Sequence, residues 1–307
     1  MPQPKITIFT PTYNRLYTLR ALYESLCGQS YKDFEWLVID DGSTDGTCAK
    51  IAEWSREGKI AIKYHFKENG GKMSAHNFAL TKAEGEWFMC VDSDDFLCGS
   101  DVLQNMIEFW ENTIKSELPK GVKVENLCGI LSYIHTYIHK QVNIKEHNLQ
   151  FPLNVKVSSF SELYKNGFNG ELALLIKTDI IKLYPYPYFE GENFITDDFV
   201  FEQIEEKYKM LLLPMFSQYR NYQNDGYSYN YRKLLLTNPL GYRAFNNQRV
   251  RLKKFNHTKN AINYIALCLR IKDGTMLSGS ANKLLTILLF PLGVAKYFYD
   301  KRFLKTL

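Results

Sequence analysis

Three carboxylates crowd into four positions, Asp92, Asp94 and Asp95, directly after the apolar run Trp87-Phe88-Met89-Cys90-Val91. Left unpaired they would repel one another and raise their own pKa values. A divalent cation removes that conflict, and Asp-x-Asp on a turn offers the hard oxygen donors that Mg2+ or Mn2+ take. The apolar run reads as a buried strand. In open α/β sheets ligands sit beyond the carboxyl ends of the strands, where this cluster falls. The same residues also read as a solvated acidic turn leading into a helix.

Positioning the cluster requires a sheet, and the preceding residues supply one. Lys5–Pro11 reads as a strand, and Leu16, Leu19, Leu22, Tyr23 and Leu26 then recur at helical spacing. Trp36–Asp40 reads as a second strand, closed by Asp41-Gly42-Ser43-Thr44-Asp45, with Thr44 or Asp45 capping a helix through Arg56. A third strand over Ile60–Phe66 leads through Asn69-Gly70-Gly71-Lys72 to a helix over Met73–Lys82. Short strands alternating with helices mean βαβ units, hence an α/β fold with a mainly parallel sheet flanked by helices. The loops Pro11–Asn14, Asp41–Asp45 and Asp92–Asp95 then converge on one rim. There Tyr13 can stack on a nucleobase, Asp41 can accept an N–H from a base edge, and Lys72 can counter phosphate charge. A cation at Asp92 and Asp94 can bridge a diphosphate. Taken singly, each of these is also an ordinary turn or surface residue; their convergence is what argues for a site.

Downstream the pattern predicts a helix over Val102–Thr113, a strand over Leu127–His139, a loop or hairpin over Lys140–Lys156 and a strand over Glu171–Lys177. A loop over Tyr184–Asn193 leads to Thr196-Asp197-Asp198, a helix over Phe199–Lys209, and two short extended pieces, Met210–Leu213 and Phe216–Tyr219. From Gly226 onward the chain turns helical and carries fifteen Lys or Arg against two acids, leaving −8 on the first 225 residues out of a net +5. Such a tail faces an anionic surface. Leu284–Ala295 is the most apolar window, twelve residues that Pro291 is expected to break. A span takes roughly 20 apolar residues. With Lys283 before it and Lys296, Lys301, Arg302 and Lys305 after, it suits a helix lying in a membrane interface, or a helical hairpin packed on the main domain. The expected division is 1–225, with donor binding over 1–120 and the acceptor side over 121–225, followed by a basic tail over 226–307. Six scattered cysteines without a C-x-x-C pair, and no leader ahead of the first strand, lead us to expect reduced thiols in a cytoplasmic protein, peripheral on the inner face of the membrane.

Four stretches, F-T-P-T-Y-N (Phe9–Asn14), V-I-D-D-G-S-T-D-G-T (Val38–Thr47), N-G-G-K-M-S-A-H-N (Asn69–Asn77) and V-D-S-D-D (Val91–Asp95), in this order and spacing resemble family 2 glycosyltransferases of the GT-A fold. T-D-D-F (Thr196–Phe199) sits where such enzymes carry a later acidic pair. The resemblance implies a nucleotide-sugar site built from Pro11, Thr12, Tyr13, Asn14, Asp41, Gly71, Lys72, Asn77, Asp92 and Ser93. Asp41 would contact a uracil-type base with Tyr13 packing on it, Asp92 would hold the ribose, and Asp94 would ligate Mn2+ or Mg2+ on the donor diphosphate. Asp198 would be the general base of a single inverting displacement. Lys72 stands where an arginine is more usual. The implied partners are a UDP-sugar donor and a saccharide or lipid-linked oligosaccharide acceptor of surface-polysaccharide assembly. No Q-x-x-R-W motif of processive synthases is present, and no G-x-G-x-x-G follows the first strand, which argues against a dinucleotide oxidoreductase. The competing readings are a sugar-nucleotide-binding module without turnover and a nucleic-acid binder using Arg249–Lys254. Neither explains the acidic rim, and no nucleic-acid partner is expected.

Overall fold

The computed structural model describes residues 3–116, 118–138, 141–142, 150–152, 154–223 and 226–304. They pack as two units, Met1–Pro185 with Phe201–Asn224, and Tyr186–Val200 with Asp225–Leu307. The segment carrying Asp197 and Asp198 thus belongs with the basic tail, whereas the sequence reading places it with the first 225 residues.

The first unit opens with β1 (Ile6–Thr12), α1 (Leu16–Cys27), β2 (Phe34–Asp40), α2 (Thr47–Glu57), β3 (Ala61–Phe66), α3 (Lys72–Lys82) and β4 (Trp87–Cys90). It continues through β5 (Phe96–Leu97), α4 (Val102–Lys115), β6 (Leu127–Ile138), β7 (Gln141–Val142), β8 (Val157–Ser158), α5 (Phe160–Lys165), β9 (Glu171–Lys177) and α6 (Thr178–Ile181). After α7 (Asp198–Ile204), where the chain passes from one unit to the other, β10 (Lys209–Asn221) closes it. The sheet order is β3-β2-β1-β4-β9-β6-β10-β5. Pairs among β3, β2, β1 and β4 are parallel, as is β6 with β10, whereas β9 joins the halves antiparallel on both sides. The parallel half is thus the half that carries the rim.

Burial explains why these segments form strands. All seven residues of β2 are buried, as a strand covered on both faces requires. Tyr23, Trp36 and Trp54 stack between α1, β2 and α2, and Trp87 meets Trp110 of α4 edge-on at 4.8 Å. At Gly129 a Cβ would lie 2.1 Å from the Leu175 carbonyl, so only glycine lets β6 lie this close to β9.

Two expectations are corrected. The helix expected over Phe199–Lys209 is shorter, and the two extended pieces after it are one strand, β10; Pro214 sits inside a register shift between Leu212 and Phe216, where its missing N–H breaks no ladder bond. Much of Lys140–Lys156, together with His139, lies outside the described residues; β7 pairs antiparallel with β6. Two helices that the reading of the sequence omits, α5 and α6, are present. α5 starts at a capping box in which Ser159 and Glu162 each satisfy the other's backbone.

The second unit holds α8 (Tyr227–Thr237), α9 (Pro239–Leu252), α10 (His257–Arg270) and α11 (Lys283–Leu304). Glu192 explains why 186–200 joins it: its carboxylate accepts from Leu240 N at 2.6 Å and Gly241 N at 2.8 Å, the open N-terminus of α9. Asn238 Oδ1 in turn accepts from the amides of Asn193 and Phe194. Helix α11 is continuous, which corrects the expected break at Pro291. The carbonyl that proline deprives of a partner belongs to Ile287, on the exposed side of the helix. No helix among the described residues is long and apolar enough to cross a membrane. None of the six cysteines forms a disulfide among the described residues.

Candidate functional site

The site in the first unit begins where β1 and β2 end together, with Thr12 in register with Asp40. Past them the two chains stay joined: Asp41 N donates to Thr12 O at 2.8 Å. Asn14 bends back in the left-handed region, φ 52°, so that its amide reaches Ser43 Oγ and its Oδ1 accepts from Thr44 N. This side-chain pairing is what a short polar residue at positive φ supplies. Tyr13 is left half exposed beside the buried Thr12. Asp45 accepts from Leu16 N and Thr47 N, but the cap position of α2 is Gly46, at φ 90° and without a side-chain bond, which corrects the expected cap by Thr44 or Asp45.

Asp41 has a structural task that sequence reasoning does not foresee. Its side chain is 5% exposed and accepts from Lys67 Nζ at 2.5 Å, Gly70 N at 3.0 Å and Gly71 N at 2.7 Å. The carboxylate therefore anchors the whole segment from Lys67 to Gly71. Gly71, at φ 83° and ψ 166°, occupies a region closed to other residues and turns the chain into α3. Lys72 is thereby the first residue of α3, and Asn77 lies on its second turn.

Lys72 Nζ donates to Asp92 Oδ2 at 2.9 Å, tying the head of α3 to the end of β4. Burial pushes Asp92 up, but the charges of Lys72 and Arg220 outweigh it and hold the carboxyl below its ordinary range. Asp94 goes the other way, raised by burial and then by the charge of Asp92. Asp95 is buried; it accepts from Asn221 N at 3.1 Å and faces Arg220 Nε at 3.4 Å. Arg220 also pairs with Glu171 at 2.6 Å. The three aspartates thus divide: Asp95 fastens β10 behind the turn, while Asp92 and Asp94 remain on the rim with Ser93 buried between them. Neither Lys67 nor Arg220 is signalled by a motif; a lysine and an arginine at strand ends look like surface residues until the strands are paired.

A cation fits Asp94, because a carboxyl raised by burial and then by a like charge is one that a positive ion would return to the ionised form. Among the described residues no group of three or more His, Cys, Asp or Glu forms a metal cage. A site with one or two carboxylates, completed by substrate phosphates and water, is the kind Mg2+ takes.

In the second unit, Asp198 opens α7. Its Oδ2 lies 3.0 Å from Arg249 Nη2, with the carboxylate 58% and the guanidinium 18% exposed. Arg249 is itself gripped between the rings of Phe245 and Phe255, 4.1 and 4.5 Å from their centroids. Gln248 Nε2 donates to Phe199 O, and Tyr231 Oη to Thr196 Oγ1, so the start of α7 is held from α8 and α9. Arg249 reads in the sequence as part of a basic run; in the fold it belongs to Asp198.

Comparison with known proteins follows this geometry closely. The profile of "Glycosyl transferase family 2" matches residues 7–123, the span from β1 to beyond α4. The putative teichuronic acid biosynthesis glycosyltransferase TuaG of Bacillus subtilis is 31% identical over 107 residues, 35% of this chain and 42% of its own. The poly(ribitol-phosphate) beta-N-acetylglucosaminyltransferase TarS of Staphylococcus aureus is 34% identical over 174 residues, 50% of this chain and 30% of its own. The chain therefore spans less than half the length of either relative. Among solved structures, S. aureus TarS 1–349 in complex with UDP-GlcNAc superposes with a TM-score of 0.55 at 17% identity, covering 88% of this chain and 75% of that one. The mannosyltransferase PcManGT of Pyrobaculum calidifontis, in complex with GDP-Man and Mn2+, gives 0.54 at 17%, covering 97% and 88%. The fold is that of the GT-A enzymes.

Proposed function

We propose that this chain, whose residues 7–123 belong to glycosyl transferase family 2, moves a sugar from a UDP-linked donor to a hydroxyl of a saccharide or lipid-linked saccharide acceptor. The observation that carries the reading is the Lys72–Asp92 pair beside Asp94 at the end of β4, next to the parallel strand β1 that leads into Tyr13. TarS with UDP-GlcNAc supports a UDP-linked donor, and PcManGT, which holds GDP-Man with Mn2+, supports a nucleotide-sugar donor and a divalent metal. The names of TuaG and TarS support a place in cell-surface polysaccharide assembly, and the basic tail supports a location at the cytoplasmic face of the membrane.

The roles follow from what each side chain can reach. Tyr13, exposed on the rim, stacks on the base. Asp41 shapes the base-side wall by holding Lys67–Gly71 in place. Asp92, kept ionised by Lys72, accepts from the ribose hydroxyls, and the Lys72 ammonium stands ready for the phosphates. Pro11, Thr12, Asn14, Gly71, Asn77 and Ser93 line the donor cradle. Asp94 would hold a Mn2+ or Mg2+ ion, which would supply positive charge to a leaving diphosphate. Asp198 takes the proton of the acceptor hydroxyl as that oxygen bonds to the anomeric carbon and the bond to the diphosphate oxygen breaks, which inverts the configuration. Arg249 holds the Asp198 carboxylate in one orientation.

The test has two arms. Thermal shifts with UDP, GDP, CDP and their sugars, with and without Mn2+, should show stabilisation by UDP that requires manganese, about 2.7 kcal/mol at 100 times Kd. Asp198→Asn should keep that shift and lose transfer by roughly 10²- to 10⁴-fold. A chain that ignores UDP and Mn2+ together refutes the donor site, and transfer undiminished in Asp198→Asn refutes the base.

A further inference from the structure

Helix α11 turns the unexpected face outward. The residues it buries are Thr286, Gly293 and Asp300, each seven positions after the last. A Cβ at Gly293 would come within 2.3 Å of Ile265 Cγ2, so this small and polar edge is pressed onto α10. Lys296 Nζ neutralises Asp300. The opposite face carries Leu284, Ile287, Leu288, Leu292, Phe298 and Tyr299, each more than half exposed. At 100° per residue these six fall within an arc of about 140°. A helix ordinarily buries such a stripe. Here the stripe is left open on the unit that also bears the excess of positive charge.

Charge decides what covers it. Lys283 opens the helix, Lys301 and Arg302 close it, and Arg232 stacks on Phe303 at 3.7 Å beside them. The single acid of α11, Asp300, is buried. A second copy laid along this face, parallel or antiparallel, would set cations against cations at both ends. An anionic lipid surface meets both ends with opposite charge and accepts the apolar arc at the boundary between headgroups and acyl chains.

We propose that α11 is a membrane-interface helix that lays its Leu284–Tyr299 face into an anionic phospholipid bilayer, with Lys283, Lys301 and Arg302 against the lipid phosphates. This deepens the location proposed above by naming the element responsible, and it stands or falls independently of the transfer chemistry.

The full chain is sedimented with vesicles of phosphatidylcholine alone or mixed with phosphatidylglycerol. Binding to the anionic vesicles should exceed binding to the neutral ones at least tenfold, from about 1 kcal/mol for each cation near the surface. Leu284→Glu with Leu288→Glu should reduce anionic binding by roughly tenfold or more, with Tm and the UDP response unchanged because both side chains are exposed. Leu288→Trp gives a second readout, since the four native tryptophans are buried; its emission should shift to the blue on anionic vesicles alone. Absence of binding by the unaltered chain, equal binding by the glutamate pair, or no blue shift overturns the proposal. So does a dimer that the glutamate pair dissociates while neither form binds lipid, because a second copy then covers the face.

Discussion

Replacing Lys67 with methionine keeps the length of the stem and removes its charge. In the folded chain that charge sits 2.5 Å from Asp41, with the two side chains only 19% and 5% exposed. Breaking a buried pair by removing one partner costs about 3–5 kcal/mol. Asp41 keeps the amides of Gly70 and Gly71 at 3.0 and 2.7 Å, so the loss falls below that range, about 2–3 kcal/mol. In a unit of this size such a loss lowers Tm by roughly 5–10 °C. The functional consequence runs through the anchored segment, which ends at Gly71 and presents Lys72 to the rim. Loosening it should weaken the UDP-sugar donor and nucleoside diphosphates of every base alike, read as Kd by calorimetry with Mn2+ present. An Asp41 that only reads the base gives a different pattern: Asp41→Asn would alter the choice among UDP, GDP and CDP, and Lys67→Met would leave donor affinity intact. Unchanged donor affinity and Tm in Lys67→Met would therefore refute the anchoring role.

Two further outcomes follow from burial. Gly129→Ala places a methyl 2.1 Å from the Leu175 carbonyl, so β6 and β9 must part; the loss should be about 3 kcal/mol or more, seen as a lower urea midpoint, and a change below about 1 kcal/mol would show that the strands give way freely. His76 is buried between Phe9 and Phe88 and held down to about 3 by burial and by Lys72, whereas an unfolded histidine titrates near 6.5. Below that pH the unfolded chain binds a proton that the folded chain refuses. Stability present above about pH 6.5 is thus lost as pH falls toward 3, about 2 kcal/mol of it by pH 5. His76→Gln should lack this component when urea midpoints at pH 8 and pH 5 are compared, and an identical drop in both proteins would contradict a neutral buried imidazole.

Local order alone made the parallel half of the fold readable. The strands at Trp36 and Trp87, the helices after Asn14 and Gly71, and the acidic turn at Asp92 each announce themselves through spacing, glycine and proline. A local signal of the same kind is present at Ser159-Phe160-Ser161-Glu162, a capping box that the reading of the sequence omits. What no stretch of sequence could carry is pairing between residues far apart along the chain. Lys67 on Asp41, Arg220 on Asp95 and Arg249 on Asp198 join residues separated by 26, 125 and 51 positions. Each is an ordinary cation until the sheet order and the helix packing bring a carboxylate to it.

The outward face of α11 belongs to the same class. Composition declared an apolar helix between basic ends, yet which side it buries was decided by Gly293 meeting Ile265 and by the Lys296–Asp300 pair. Sequence by itself determined the chemistry on offer, because residue type and short-range spacing set the turns and the charges. Tertiary structure alone decided which of those charges are spent on holding the fold and which remain for a ligand, because burial and long-range contact are properties of the packed chain.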